Sequence, residues 1–359
     1  MIKNVLTSIL IVGVSFFMFS CDNNDEEPVK DSIFQNGVFV VNEGNFTDSD
    51  GSLSYYSYDS AQVANKVFES ANTRPLAAVF QSMSLYLEMG FLVDQSGRLE
   101  IVNSNNMVSI KTINADLDIP RYFAGYSIKG FLTDWGPYDE NYSNTESKIK
   151  VIDMETLEIT SEFDTPSRPE GIVALKNMIY VANSATNLVS IYDPADNSAA
   201  GTIEVNNGPT SFVIDKDDNL WVISTGAYIA GGALQKINTD VNEVTKTVDL
   251  STISPNGRIA INSTKDIVFF MGEQWAPDFS YTENTVYKAN IFLPNSYESI
   301  ISEENLYGLG IHPQKDEVYV ADAVAFQGNG KVYVYDFSGN KINEFGAGRG
   351  TRDFVFVTK

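Results

Sequence analysis

The sequence predicts an all-β chain folded as a seven-bladed β-propeller, and three features point to it. From Phe34 onward, short alternating apolar runs rich in Val, Ile, Tyr and Phe are separated by Gly, Asn, Asp, Pro and Ser clusters, with no sustained helical period. One strand recurs seven times: Phe39-Val40-Val41-Asn42, Phe91-Leu92-Val93-Asp94, Phe131-Leu132-Thr133-Asp134, Ile179-Tyr180-Val181-Ala182, Leu220-Trp221-Val222-Ile223, Ile267-Val268-Phe269-Phe270 and Val318-Tyr319-Val320-Ala321. The copies stand 40 to 52 residues apart, the period of four-stranded blades. Finally, the folded part begins at the second strand of a blade, while Thr351 to Val357 reads as an innermost strand with nothing after it. N- and C-terminal strands would then pair in one blade and remove the open edge of the ring. Six or eight blades would follow if one copy is miscounted.

Residues 1–20 read as a targeting segment. Lys3 supplies a basic start, Val5 to Phe19 is almost wholly apolar, and Ser20-Cys21 precedes Asp22, Asn23, Asn24, Asp25, Glu26 and Glu27. The apolar run is shorter than the ~20 residues a spanning helix needs. The lone Cys21 after a small residue resembles a bacterial lipoprotein signal, in which that cysteine becomes the lipidated N-terminus, although Met18-Phe19-Ser20 departs from the usual Leu-Ala-Gly type of box. The alternative is an ordinary signal peptide. Residues 21–33 form an acidic flexible tether, too polar to fold alone, and residues 34–359 form the propeller. Lipid would be the only membrane contact.

Within the propeller, a following strand closes on Asp in Ile149-Lys150-Val151-Ile152-Asp153, Val189-Ser190-Ile191-Tyr192-Asp193 and Val332-Tyr333-Val334-Tyr335-Asp336. A further strand, as in Glu158 to Phe163 or Lys341 to Phe345, leads to a turn into the next blade. Those turns share a frame: Arg74-Pro75, Ile119-Pro120, Arg168-Pro169-Glu170-Gly171, Gly208-Pro209-Thr210-Ser211 and Ser254-Pro255-Asn256-Gly257. Proline sets the angle, and Gly or Ser lets backbones crowd the axis.

Composition narrows function. Asp and Glu number 47 against 24 Lys and Arg, giving a net charge of −23 and a pI near 4.3, which repels nucleic-acid backbones and anionic lipid. One His and one Cys leave almost no route to a zinc site, a disulfide scaffold or a Ser-His-Asp triad. The expectation is a binding protein, not an enzyme, without metal or cofactor.

Pro169-Glu170-Gly171-Ile172, Ile179-Tyr180-Val181-Ala182-Asn183 and Leu188-Val189-Ser190-Ile191-Tyr192-Asp193 together resemble the YncE-like seven-bladed β-propeller surface lipoproteins, over roughly residues 34 to 359. The resemblance implies a lipid-anchored protein of the outer membrane, displayed at the cell surface, of a gut-type Gram-negative. It would capture a small nutrient of corrinoid or siderophore type and deliver it to a TonB-dependent outer-membrane transporter. Two alternatives stay open: a glycan-binding surface lipoprotein, which aromatic loops suit equally, and a metal-dependent lyase or lactonase-like propeller enzyme.

On a propeller, the turn before each innermost strand and the loop after each second strand meet on one face, at the mouth of the axial channel. Three of those loops carry aromatics: Asp134 to Ser147 has Trp135, Tyr138 and Tyr142; Ser224 to Gly232 has Tyr228; Gly272 to Asn284 has Trp275, Phe279 and Tyr281. Such rings either contact a ligand or pack on neighbouring loops. A second set follows the turn proline or its equivalent: Leu76, Arg121, Glu170, Thr210, Asn256, Tyr307 and Arg352. In so acidic a chain Arg121 and Arg352 could together hold an anionic ligand, or each could form an ion pair with Glu170 or Asp353. His312-Pro313, Asp48 to Gly51, Asp215 to Asp218 and Gly346 to Gly350 read as turns, not as sites.

Overall fold

Each blade is a four-stranded antiparallel sheet, and in the computed structural model, which describes residues 33–226, 231–275, 281–293 and 295–358, seven of them make the ring. Side chains are described at all of these except 274, 275, 281 and 282. The expected signal peptide, Cys21 and nearly all of the tether lie outside the described residues. Among those residues no helix is long and apolar enough to cross a membrane.

Numbering blades from the closing one, the innermost strands are Thr351–Val357, Phe80–Tyr86, Pro120–Tyr126, Pro169–Leu175, Pro209–Ile214, Ser254–Ile261 and Leu306–Ile311. The second strands are Gly37–Asn42, Met89–Asp94, Lys129–Asp134, Met178–Asn183, Leu220–Ser224, Ile267–Trp275 and Glu317–Asp322. These second strands are the recurring sequence copies. They are buried on both faces because each is paired within its sheet and pressed between neighbouring blades, so they read as continuous apolar runs: Val38, Phe39, Val40 and Val41 are all fully buried. Between blades the rings interlock, with Phe91 stacked on Phe123 at 3.8 Å and Tyr56 on Phe345 at 4.2 Å.

The ring closes as the sequence predicts. Val38 faces Phe356, Phe39 faces Val355, Val40 faces Phe354 and Val41 faces Asp353, so blade 1 takes its innermost strand from one end of the chain and its other three from the opposite end.

A feature common to all seven blades sets the site. Each innermost strand breaks register against its second strand at the same height: between Phe80 and Ser82, Pro120 and Phe123, Pro169 and Ile172, Pro209 and Ser211, Pro255 and Ile259, Leu306 and Gly308, and opposite Val41 and Asn42. Such a bulge leaves an extra residue out of the ladder and re-aims it. The extra residues include Gln81, Arg121, Glu170, Thr210, Asn256, Tyr307 and Arg352. Close strand approach here depends on glycine: a Cβ on Gly171 would stand 2.6 Å from the Thr210 carbonyl oxygen, and one on Gly308 would stand 2.6 Å from that of Arg352.

Two expectations are corrected. Leu76 is not the blade 2 member of this ring. Pro75 follows a short helix, Val67–Asn72, and does not start the innermost strand: residues 76–79 intervene, and the strand starts only at Phe80. Gln81 takes the position, and Leu76 is buried in the core with Phe68 and Phe80. The stretch from Gly272 to Asn284 is mostly not loop either: strand continues to Trp275 and resumes at Tyr281, with those two residues paired across the hairpin.

Candidate functional site

At the mouth Gln81, Arg121, Glu170, Tyr307 and Arg352 of the bulged residues fall into two clusters, each an aromatic ring with two arginines, one glutamate and one glutamine. In the first, the Arg121 guanidinium lies 4.3 Å from the centre of the Trp135 ring and Arg168 lies 5.1 Å from it. Arg121 pairs with Glu170 at 3.0 Å and donates to the Gln95 side-chain oxygen. Arg168 donates to the Asn144 side chain at 2.8 Å and to the Tyr142 carbonyl at 3.1 Å, which fixes the 135–147 loop over the ring. Asp134 anchors that loop from below, accepting from the backbone N–H groups of Asp118, Ile119 and Gly136.

In the second cluster Tyr307 has Arg258 at 5.3 Å and Arg352 at 5.7 Å from its ring centre. Arg352 pairs with Glu43 at 2.7 Å and donates to Gln81 at 2.9 Å, while the Tyr307 hydroxyl also donates to Glu43 at 2.7 Å. Burial alone would depress the Arg352 pKa, but Tyr307 and Glu43 outweigh it and hold the guanidinium charged. Burial raises the Tyr307 pKa, so the phenol stays neutral. At the same level Glu273 faces Ser254, and burial pushes its carboxyl pKa up.

Each cluster holds two arginines against one glutamate, in a chain whose net charge is −23. The concentration is not accidental: all seven arginines of the chain lie at or near the mouth end of their strands and turns, whereas Lys176, Lys216, Lys265 and Lys315 occupy turns at the opposite end. The planar guanidinium fork suits stacking and multiple hydrogen bonds as an ammonium does not. Even so, not every donor here is used. Gln81 Nε2, Trp135 Nε1 and Arg352 Nε are buried and have no acceptor among the described residues.

The structure thus brings Trp135, Arg121 and Glu170 together, and Tyr307 with Arg352. Asn256 accepts from the Arg258 backbone N–H, Thr210 donates to the Ile223 carbonyl, and Tyr138 is 52% exposed on its loop. Tyr228 and Phe279 lie outside the described residues; Trp275 and Tyr281 are placed only by their backbone pairing. Both arginines do form carboxylate pairs, Arg121 with Glu170 and Arg352 with Glu43 rather than Asp353. Sequence reasoning missed Glu43, Gln81, Gln95, Arg168 and Arg258 as site residues. A signal existed for two of them: Glu43, Gln95 and Trp135 each stand one residue after the end of a second strand, and each contacts a ring arginine.

Beneath the clusters a cavity of about 260 Å³ runs along the axis, lined by the innermost strands of all seven blades, from Ser84 and Tyr122 to Leu309 and Asp353. Among the described residues no group of three or more His, Cys, Asp or Glu side chains is arranged to hold a metal ion.

This geometry defines a seven-bladed β-propeller with an arginine-rich mouth. Residues 36–351 match the family model described as a domain of unknown function, DUF5074, and the chain belongs to that family. No curated protein sequence matches it. Among solved structures it is similar to a quinoprotein alcohol dehydrogenase-like protein from Bacteroides thetaiotaomicron VPI-5482, at 15% identity and a TM-score of 0.68 over 90% of this chain and 78% of that one. The periplasmic gluconolactonase PpgL of Pseudomonas aeruginosa matches at 11% identity and a TM-score of 0.66, over 89% of this chain and 99% of its own. A functionally unknown protein from Desulfotomaculum acetoxidans DSM 771 matches at 10% identity and a TM-score of 0.65, over 90% and 99%. At such identities the likeness shows the fold alone.

Proposed function

We propose that this protein is a YncE-like, lipid-anchored surface protein that captures a small, acceptor-rich nutrient at its mouth and delivers it to a TonB-dependent outer-membrane transporter. The observation that carries the binding part is the set of buried donors without acceptors, Gln81 Nε2, Trp135 Nε1 and Arg352 Nε, set among four arginines. An unpaired buried donor costs on the order of 1–3 kcal/mol, and a ligand oxygen that accepts from it recovers this in the complex. Carboxylate, phenolate and amide oxygens qualify, which is the chemistry of siderophores and corrinoids. The signal and tether read in the sequence support surface display, and a rigid ring of blades suits transfer without unfolding.

The test is isothermal titration of the purified protein with a ferric catecholate complex, aquocobalamin and a neutral oligosaccharide, each repeated with Arg121→Gln. Binding of either of the first two, weakened at least tenfold by the substitution, is expected. Binding of the oligosaccharide alone, insensitive to Arg121, would replace this reading with the glycan one, and turnover of a lactone would replace it with an enzyme.

A further inference from the structure

The axial cavity below the mouth carries an unresolved pair of charges. Arg258 and Asp353 both line it, from blades 6 and 1, yet no ion pair joins them, and among the described residues neither forms an ion pair elsewhere, although Asp353 lies near enough to Arg352 to help hold that guanidinium charged. The Arg258 Nε–H donates to the Tyr307 carbonyl at 3.2 Å, leaving the two terminal nitrogens of its guanidinium uncommitted to protein acceptors. One Asp353 oxygen accepts from the Phe354 backbone N–H at 2.8 Å. The same wall presents Ile172, Val173, Phe212 and Ile259, half-buried apolar residues that pack between the blades and leave apolar edges on the cavity.

From these three elements we infer that the channel is a second binding site, below the mouth and sharing only Arg258 with it, for a small zwitterion with an apolar side chain, of the α-amino acid class. A simple anion would be drawn to Arg258 but repelled by Asp353, and a simple cation meets the reverse. A neutral sugar leaves both charges unmatched and the apolar belt wetted. An α-amino acid sets its carboxylate on the guanidinium, its ammonium on the aspartate and its side chain on the apolar belt, and the volume admits a molecule of that size. Within a narrow, partly apolar passage both charge contacts are stronger than at an open surface. No step of capture at the mouth is needed for this site, and Asp353 serves it alone as Arg121 serves the mouth alone, so Asp353→Asn and Arg121→Gln tell the failure of one proposal from the failure of the other.

The experiment is isothermal titration of the full-length protein with L-leucine, with isoamylamine, which lacks the carboxylate, and with 4-methylpentanoate, which lacks the ammonium. L-Leucine should bind, and each fragment at least tenfold more weakly. Arg258→Gln should erase the preference for L-leucine over the amine, and Asp353→Asn its preference over the acid, whereas Arg121→Gln at the mouth should leave L-leucine affinity unchanged. Absence of saturable L-leucine binding into the millimolar range, or equal binding of either fragment by the wild type, overturns the proposal even if a channel variant does not fold. Retained discrimination in folded variants overturns the assigned roles.

Discussion

The Tyr307 cluster is built across the seam where the ring closes, drawing Arg352 and Glu43 from the two ends of the chain, Tyr307 from blade 7 and Gln81 from blade 2. The Trp135 cluster joins three consecutive blades, through Gln95, Arg121 and Glu170, and one long loop. Composition is the same, yet their settings differ. Arg352 and Gln81 are almost entirely withdrawn from solvent and the Tyr307 hydroxyl is tied to Glu43, whereas Trp135 keeps a free indole N–H and its loop carries Tyr138 and Tyr142, the latter 81% exposed. Closely similar side-chain chemistry is therefore locked at the seam on one side of the mouth and carried beside an exposed loop on the other, with buried donors left over on both. The difference follows from where in the chain the partners come from, not from which residues they are.

Breaking the seam itself should have the largest effect. Truncation after Gly350 removes the innermost strand of blade 1 and uncovers Val38, Phe39 and Val40 along a bare edge. Loss of the cooperative thermal transition, or a severely lowered midpoint, is expected; equal melting temperatures for the two forms would contradict the seam's role.

Next comes the contrast between the two buried pairs. Arg352→Leu strips Glu43 of its cation and should cost about 3 kcal/mol in urea unfolding, in the range found when one partner of a buried pair is removed. Arg121→Leu should cost less, about 1–2 kcal/mol, because Arg121 joins blades already connected in sequence, whereas Arg352 also ties the closing strand to Glu43 and Gln81 at the seam. The double variant Arg352→Leu with Glu43→Leu should recover part of the loss. Equal costs for the two single arginine variants would erase the distinction between a locked and an open cluster.

Function should show the opposite order. Trp135→Ala should change stability by only about 1 kcal/mol, the scale of its cation contacts, but weaken the mouth ligand by about 2 kcal/mol, as truncation of a central aromatic anchor commonly does. Titration of that variant beside Tyr307→Phe, which keeps its ring but loses its tie to Glu43, checks this. If Tyr307→Phe weakens the ligand more than Trp135→Ala, the recognition side has been misassigned.

The fold was legible because second strands buried on both faces leave an uninterrupted apolar run in the sequence, as Phe39 to Val41 and Val318 to Ala321 do. The closing strand was equally plain, since Phe354 to Val357 carries the innermost-strand pattern and pairs with the second strand Gly37–Asn42. Register at the innermost strands was not legible in every blade. Where a proline starts the strand, as at Pro120, Pro169 and Pro209, the bulged residue is found by counting; in blade 2 the non-strand residues 76–79 after Pro75 displace the count from Leu76 to Gln81. Partners were harder still. Nothing local marks Glu43 as the carboxylate for Arg352, because the pairing exists only once the two ends meet, 309 residues apart. Arg258 was hidden by the wide bulge between Pro255 and Ile259, which carries it past the expected ring position into the channel.

The smallest effect is expected on the face opposite the mouth, at the only histidine. His312 is 1% exposed, its Nδ1 accepts from the Gln314 backbone N–H at 3.1 Å, and its Nε2 has no partner among the described residues. Tyr58 and Phe356 rings pack 5.3 and 5.6 Å away. Burial is the main cause of its lowered pKa, only partly offset by Glu317, so the fold favours the neutral imidazole. In the unfolded chain the group titrates near its ordinary value of about 6.5. As pH falls below that value the unfolded state takes up a proton before the folded state does, so stability fully present above about pH 6.5 is lost as pH falls toward the lowered folded value. The carboxylates add their own acid dependence at lower pH, which a comparison with His312→Leu subtracts. Melting midpoints from pH 7.5 down to 5.5 should fall more steeply for the wild type than for the variant. Parallel curves would mean that His312 is hydrated in the folded state and takes its proton as freely as in the unfolded chain.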